Sequence, residues 1–230
     1  MSNNKVFKGF SKESIEFLRE VKSRNSREWF QENRYKYEEF LLRPFQNLVS
    51  DLSQNMLAID PLFEVRPQIN KTISKIYRDT RFSKDKSIFK NQIWMTFKRP
   101  SRDWKDAPSY FFELMTDSYR YGLGYYSASR STMDMFRLSI GDYRQEFMNA
   151  ISFLKRNTTF ELKGEKYIRP LISDYPDIIQ NWYQRKSFYI VSARKIDKLL
   201  FSKRLKDRIK SGFNDLALLY HFLRNHVNFS

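Results

Sequence analysis

Ile93-Trp94-Met95-Thr96-Phe97 is the stretch that decides the fold. Ile93, Met95 and Phe97 alternate with the other two residues, which is the period of a β-strand with one buried face. Four further short runs are rich in aromatic and β-branched residues and are bounded by Pro, Asn, Asp or Gly: 63–66, 72–77, 110–115 and 119–125. Because no helical pattern separates these runs, we expect an antiparallel sheet rather than βαβ units.

Helical patterns lie on both sides of this sheet-rich part. Ser11 is a favourable N-cap for a helix with an apolar face, and Ser26 can cap a second one. Pro44 either kinks that second helix or begins a third. After the sheet we expect helices over 129–140, 142–155 and 202–225, and returning strands over 160–168 and 188–191.

This order of elements predicts one α+β domain over residues 1–230. N-terminal helices precede a central, mainly antiparallel sheet, and C-terminal helices pack on it. The segments are helical at 11–57, sheet-rich at 62–126, mixed at 129–193 and helical at 197–226. No linker, repeat or low-complexity tract divides them.

The composition excludes several classes of protein. With 41% hydrophobic and 17% aromatic residues, the 230-residue chain can bury a substantial core. It has no cysteine, which excludes disulfides, thiolate nucleophiles and Cys-based zinc sites and is compatible with a reducing compartment. We find no signal peptide and no transmembrane run. A cytoplasmic location is therefore predicted.

The net charge of +16 is concentrated in two parts of the sequence. Residues 71–90 hold seven cations against two carboxylates, and residues 185–210 hold ten against two. A field of this sign attracts polyanions such as RNA, DNA and anionic lipid, and also phosphorylated metabolites. Charge alone is equally compatible with an ordinary basic protein.

The candidate site lies in residues 76–91. The pattern predicts the end of a strand followed by a loop, which the side chains of Tyr77, Phe82 and Phe89 hold in place. Arg side chains bind carboxylate or phosphate bidentately, and Lys adds a mobile charge. The candidate ligand-binding residues are Arg78, Asp79, Arg81, Lys84, Asp85, Lys86 and Lys90. The two carboxylates either orient the cations or act as metal or acid–base groups.

Three functions fit this loop. The first is an anion-binding pocket for a small phosphorylated or carboxylated ligand. The second is a nucleic-acid-binding module that combines the loop with the basic C-terminal third. The third is purely structural, with the loop locked by internal ion pairs. Whether the protein is an enzyme and whether it takes a cofactor stay open, and we assign no metal ligands.

Arg27, Glu113 and Arg137 are candidate companions of this site. Glu113 interrupts an apolar strand, so a buried, paired carboxylate and a solvent-facing one are both compatible with the pattern, and we prefer the solvent-facing interpretation. If buried, it would pair with Arg78 or Arg137 or act as a base. Arg27 either reaches the loop or pairs with a neighbouring glutamate.

Two other features predict no chemistry. Gly122-x-Gly124 is too short for a dinucleotide fingerprint and indicates a bulge or a close backbone approach. His221 and His226 are the only histidines. Neither has a third ligand or a nucleophile beside it in the sequence, so we assign no role to them.

Three motifs resemble a widespread bacterial family, domain of unknown function 2461. Residues 25–30 are similar to its NNREWF signature, and residues 78–91 are similar to its YRDTRFSKDKTPYKTN motif. Gly122, Gly124 and Arg137 are similar to its GxGxY…R stretch. The resemblance implies a cytoplasmic α+β protein of unknown function and carries over no catalytic role.

This chain departs from the family motif at Ser87-Ile88-Phe89, where the family usually reads Thr-Pro-Tyr. The missing proline loosens one turn, and Phe89 lacks a hydroxyl group. If that hydroxyl does chemistry in relatives, this chain lacks the group that does it.

Overall fold

The computed structural model describes residues 6–81, 84–102, 104–156, 159–169, 171 and 174–227. Helices precede and follow a five-stranded antiparallel sheet with the strand order β1-β2-β3-β5-β4, which confirms the α+β class. The strands are β1 Ile93–Phe97, β2 Pro108–Leu114, β3 Ser118–Tyr125, β4 Glu161–Lys163 and β5 Tyr189–Lys195. The helices are α1 Lys12–Arg24, α2 Arg27–Glu32, α3 Arg34–Lys36, α4 Arg43–Ile59, α5 Arg130–Asp142, α6 Arg144–Ala150, α7 Phe153–Arg156, α8 Asp177–Tyr183, α9 Arg204–Asp215 and α10 Ala217–His226.

The chain forms two compact units. The first is built from the described residues of 1–97, 111–120 and 194–211, and the second from those of 98–110, 121–193 and 212–230. Strands β2, β3 and β5 therefore contribute residues to both units. The single domain over 1–230 stays a prediction.

No helix in the described ranges is both long and apolar enough to cross a bilayer.

The N-terminal helices begin where their capping residues predict. The Ser11 hydroxyl accepts from the Ser14 N–H, and Ser14 returns the contact as a capping box. Ser26 caps α2 in the same way by accepting from the Trp29 N–H at 3.0 Å. Pro44 lies in the first turn of α4, which follows a π-helical turn at Tyr37–Leu42, so the alternative in which it begins a further helix is confirmed.

Residues 63–66 and 72–77 do not form the predicted strands. Ile73 makes a single antiparallel bridge to Met95 of β1, with Ser74 N–H donating to Trp94 C=O at 2.9 Å. The Trp94 N–H then donates to the Ser74 hydroxyl rather than to a backbone carbonyl. Because a side chain takes this bond, the ladder stops after one bridge.

Two predicted helices are each interrupted. Residues 142–155 form α6 and α7 separated at Ile151, and residues 202–225 form α9 and α10 separated at Leu216. Ile151 has φ −95° and ψ 3°, and Leu216 has φ −89° and ψ −1°. Ile151 lies in the sparsely populated bridge region, and the ψ of Leu216 is displaced from the usual helical value of about −42°.

The C-terminal helices pack on the strands of the second unit. The Tyr110 ring of β2 lies 4.9 Å from Phe213 of α9 and 5.5 Å from Tyr220 of α10, measured between ring centroids. Aromatic pairs at these separations contribute beyond simple area burial.

Glycines allow β3 and β5 to approach closely, as the sequence predicts. A Cβ atom on Gly122 would lie 1.8 Å from the Ile190 carbonyl oxygen, and one on Gly124 would lie 2.3 Å from the Tyr189 Cβ. The predicted strand 160–168 is shorter than expected, because Gly164 (φ +128°) turns the chain directly after β4.

Candidate functional site

The candidate loop, residues 76–91, is closed at its base by backbone pairing. Tyr77 and Phe89 form an antiparallel bridge, and the Arg78 N–H donates to the Ile88 C=O at 2.9 Å. Phe89 is buried, with its ring stacked 4.5 Å from that of Phe30. The base is therefore anchored in the core of the first unit. Phe82 and Ser83 lie outside the described residues.

Asn25 fixes the same base from the end of α1. It adopts the left-handed conformation (φ 40°) that Asn tolerates better than most residues. Its Oδ1 accepts from the Ile88 N–H at 2.6 Å and from the Phe89 N–H at 3.1 Å, and its Nδ2 donates to the Phe89 C=O at 3.1 Å. The amide side chain thus bonds the loop backbone as a neighbouring strand would.

Arg78, Asp85 and Ser87 form a second lock above the base. The Arg78 Nε donates to the Ser87 hydroxyl at 3.0 Å, and its guanidinium pairs with Asp85 at 3.0 Å. The Ser87 N–H donates to Asp85 at 2.9 Å. The hydrogen bonds from Ser87, followed by the Arg78 charge, hold the pKa of Asp85 below its usual value. Asp85 is thus held as a carboxylate, with its side chain 55% exposed.

The tip of the loop is cationic and exposed. Arg81 binds Asp79 bidentately at 3.0 and 2.8 Å, and the two side chains are 76% and 59% exposed. The hydrogen bond that Arg81 donates to Asp79, and then the charge of that carboxylate, raise the pKa of Arg81. The Lys86 ammonium donates to the Thr80 C=O at 2.9 Å, and Lys84 is also exposed. We call Arg81, Lys84 and Lys86 the cationic tip.

Lys90 belongs to the base rather than to the tip. Its ammonium donates to the Lys75 C=O at 2.6 Å and lies 4.2 Å from the centroid of the Trp94 ring. Burial, followed by the charges of Arg78 and Lys75, lowers its pKa to about 8. Its contacts give it a structural part in holding the loop.

Glu113 is buried, which corrects our preferred solvent-facing interpretation. It is 6% exposed and forms an ion pair with Arg120, not with Arg78 or Arg137 as the buried alternative suggested. The Met115 N–H donates to the Ser118 C=O, and counting outward from this pair places Glu113 opposite Arg120 across the β2–β3 hairpin. That register of opposite charges was the signal available in the sequence.

Arg27 and Arg137 occupy different settings. Arg27 is the exposed first residue of α2. Arg137 is buried in the second unit, where it donates to the carbonyls of Tyr183 and Arg185 at 3.0 and 2.7 Å and pairs with Asp134 at 2.7 Å. These bonds tie α5 to the segment after α8. They describe a packing role for Arg137.

Several cations of the basic C-terminal third serve protein groups. Buried Arg185 donates to the carbonyls of Gly164 and Leu162. Arg194 pairs with Asp197 at 2.7 Å, and Lys206 with Asp51 at 3.2 Å. Such cations are less available to a polyanion than the sequence suggests.

His226, one of the two histidines to which we assigned no role, has defined partners. His226 Nε2 lies 2.8 Å from a Glu146 carboxylate oxygen, and its ring stacks on Tyr143 at 3.9 Å. His226 and Glu146 line a cavity of about 230 Å³ in the second unit, together with His221. Over the described ranges, no three His, Asp or Glu side chains group in a way that would hold a metal ion.

The family model described as "Conserved hypothetical protein (DUF2461)" matches residues 13–222, which include the loop, Asn25 and Arg137. No curated protein matches the chain. Since the family match covers far more than half of its 230 residues, the chain belongs to the family Conserved hypothetical protein (DUF2461).

Proposed function

We propose that the loop of residues 76–91 binds a small phosphorylated or carboxylated ligand at its cationic tip. The observation that supports this is the contrast within the loop. Its base is held by backbone pairing, Asn25 and the Arg78–Asp85 pair, whereas Arg81, Lys84 and Lys86 face solvent. A fixed support that presents exposed cations is suited to anion capture.

The charges of the tip favour an incoming anion. The charge of Asp85 is neutralised by Arg78. Among the described residues of the tip, Asp79 is therefore the carboxylate that offsets the charges of Arg81, Lys84 and Lys86. The Asp79–Arg81 pair is exposed, and exposed pairs contribute about 0–1 kcal/mol. A phosphate or carboxylate can therefore replace Asp79 on the guanidinium with little loss.

The rigid base lowers the cost of binding. Ordering residues on binding opposes affinity, and a base that is held beforehand avoids part of that cost. The purely structural alternative, in which internal ion pairs lock the loop, fits the base of the loop well. The proposal assigns ligand contact to the tip alone and leaves the chemistry of any reaction open. The enclosed pocket and the cytoplasmic location remain predictions.

The experiment is a titration of ¹⁵N-labelled protein with inorganic phosphate and, separately, with succinate, followed by amide chemical shifts. We expect saturable shifts in residues 79–87. The double variant Arg81→Gln/Lys86→Gln should weaken the apparent affinity by about tenfold or more, because it removes charge-assisted hydrogen bonds.

Arg34→Gln is the matched control. Arg34 forms an exposed ion pair with Glu38 on α3 and the π-helical turn, with side-chain exposures of 63% and 50%. It should bind both anions as the wild type does. Shifts that never saturate, or an equal loss of affinity in the control, would contradict the proposal.

A further inference from the structure

A second basic surface lies in the second unit and involves no residue of the loop. The 3₁₀ turn Trp104–Asp106 places Trp104 beside Tyr126, with ring centroids 5.2 Å apart and planes inclined by 50°. Tyr126 is 64% exposed. The Lys98 ammonium lies 3.4 Å from the centroid of the Trp104 ring, and that of Lys105 lies 5.9 Å away.

Among the described residues, no carboxylate pairs with the cations of this surface, and Asp103 lies outside the described residues. Within the described part of the chain, Lys98, Arg102 and Lys105 form no ion pair. The carboxylate of Asp106 is engaged elsewhere, since its oxygens accept from the Ser129 N–H and the Thr132 hydroxyl, both at 2.7 Å. This surface differs from the 76–91 loop, where Asp79 and Asp85 pair with arginines.

The bonds of Asp106 also hold the surface in place. They fasten the 3₁₀ turn to the start of α5, and the Ser127 N–H donates to the Lys105 C=O at 2.9 Å. The rings and cations are thus presented from a supported turn rather than from a free chain. We call Lys98, Arg102, Trp104, Lys105 and Tyr126 the aromatic–cationic platform.

We propose that the aromatic–cationic platform binds single-stranded nucleic acid. Proteins that bind single strands combine cations for the phosphates with exposed rings on which bases stack. Here exposed Tyr126 supplies the stacking face, and Lys98, Arg102 and Lys105, which form no ion pair with a described residue, lie on one short segment. A duplex offers no unstacked base to Tyr126, and an acidic polypeptide offers no flat ring to it. The net charge of +16 adds a general attraction for polyanions.

The test is fluorescence anisotropy with a labelled oligothymidine of about twelve nucleotides, at about 50 mM salt and above. Tyr126→Leu should raise Kd by about five- to hundredfold, the range expected when one stacked base is lost. Lys105→Gln should reduce the slope of log K against log salt by about 0.7. A duplex and polyglutamate of similar charge should bind more weakly than oligothymidine.

Matched controls exist in the first unit. Tyr35 is 63% exposed, and Lys22 is an exposed lysine of α1, so Tyr35→Leu and Lys22→Gln should leave Kd and the salt slope unchanged. The loop variant Arg81→Gln/Lys86→Gln should also bind normally, because the platform does not rest on the proposed anion site. No binding at low salt, equal effects of the two tyrosine variants, or polyglutamate binding as tight as oligothymidine would overturn the inference.

Discussion

Asn25 binds both backbone polar groups of Phe89, with its Oδ1 3.1 Å from the Phe89 nitrogen and its Nδ2 3.1 Å from the Phe89 oxygen. One side chain therefore joins the end of α1 to the base of the candidate loop, 64 residues further along the chain. The base of the loop is therefore held by a helix cap as well as by its own backbone pairing.

Replacing Asn25 should destabilise the first unit. Asn25→Gly keeps the left-handed backbone and removes the hydrogen bonds, leaving buried backbone groups unsatisfied, so we expect a loss of about 2 kcal/mol in the free energy of unfolding. Asn25→Ala should cost about 1 kcal/mol more, because alanine is strained at φ 40°. Urea denaturation measures both. Full stability in the glycine variant would show that the bonds to Phe89 contribute nothing.

Arg78 and Arg81 should differ in their effect on stability. Arg81→Ala removes an exposed ion pair and should change the free energy of unfolding by less than about 1 kcal/mol. Arg78→Ala removes a more buried group that bonds both Asp85 and Ser87, and should cost about 1–3 kcal/mol. Thermal or urea unfolding of the two variants measures the difference. Equal, large losses would mean that the whole loop is an ion-pair lock, including its tip.

The Glu113–Arg120 pair should be costly to break from one side. Arg120→Met leaves the Glu113 carboxylate buried without its partner and should destabilise the protein by about 3–5 kcal/mol. The double variant Glu113→Leu/Arg120→Met should recover most of that loss, since two apolar groups need no partner. A double-mutant cycle by urea denaturation measures the coupling. Additive effects of the two single changes would contradict this account.

Stability should depend on Lys98 in alkaline solution. Burial lowers the pKa of Lys98 from 10.5 to about 8. Between pH 8 and 10.5 the unfolded chain holds this proton more than the folded protein does, so the contribution of Lys98 to stability rises with pH across that window.

The comparison is with Lys98→Arg, whose guanidinium keeps its charge throughout this range. The wild type should gain melting temperature relative to Lys98→Arg as the pH rises from 8 to 10. A difference that stays constant would mean that the contact with Trp104 outweighs the effect of burial.

Local signals in the sequence predicted the starts of α1 and α2 and the strand β1. Ser11 and Ser26 each accept a hydrogen bond from the first turn of their own helix, and β1 follows from the alternation of buried and less buried residues. These signals are local, so no information from distant residues is needed to predict the elements. The glycines of β3 were also predicted as points of close approach, though not which strand they approach.

The errors arise where contacts between distant parts of the chain determine the local structure. Both faces of β2 are buried, so alternation could not show that Glu113 is inside. The strand predicted at 72–77 stops because the Ser74 hydroxyl takes the Trp94 N–H. The Asn25 contact with residues 88–89 depends on the folded arrangement of the first unit, and no spacing in the sequence indicates it.

The short pairing between residues 72–74 and β1 has a consequence for solubility. β1 is the first strand in the sheet order, and free N–H and C=O groups on such an edge invite pairing with a second chain. Here Thr72 accepts from the Thr96 N–H, and Ser74 occupies both backbone groups of Trp94. The segment is too irregular to act as a template itself. The short pairing of residues 72–74 with β1 thus protects this edge of the sheet against edge-to-edge aggregation.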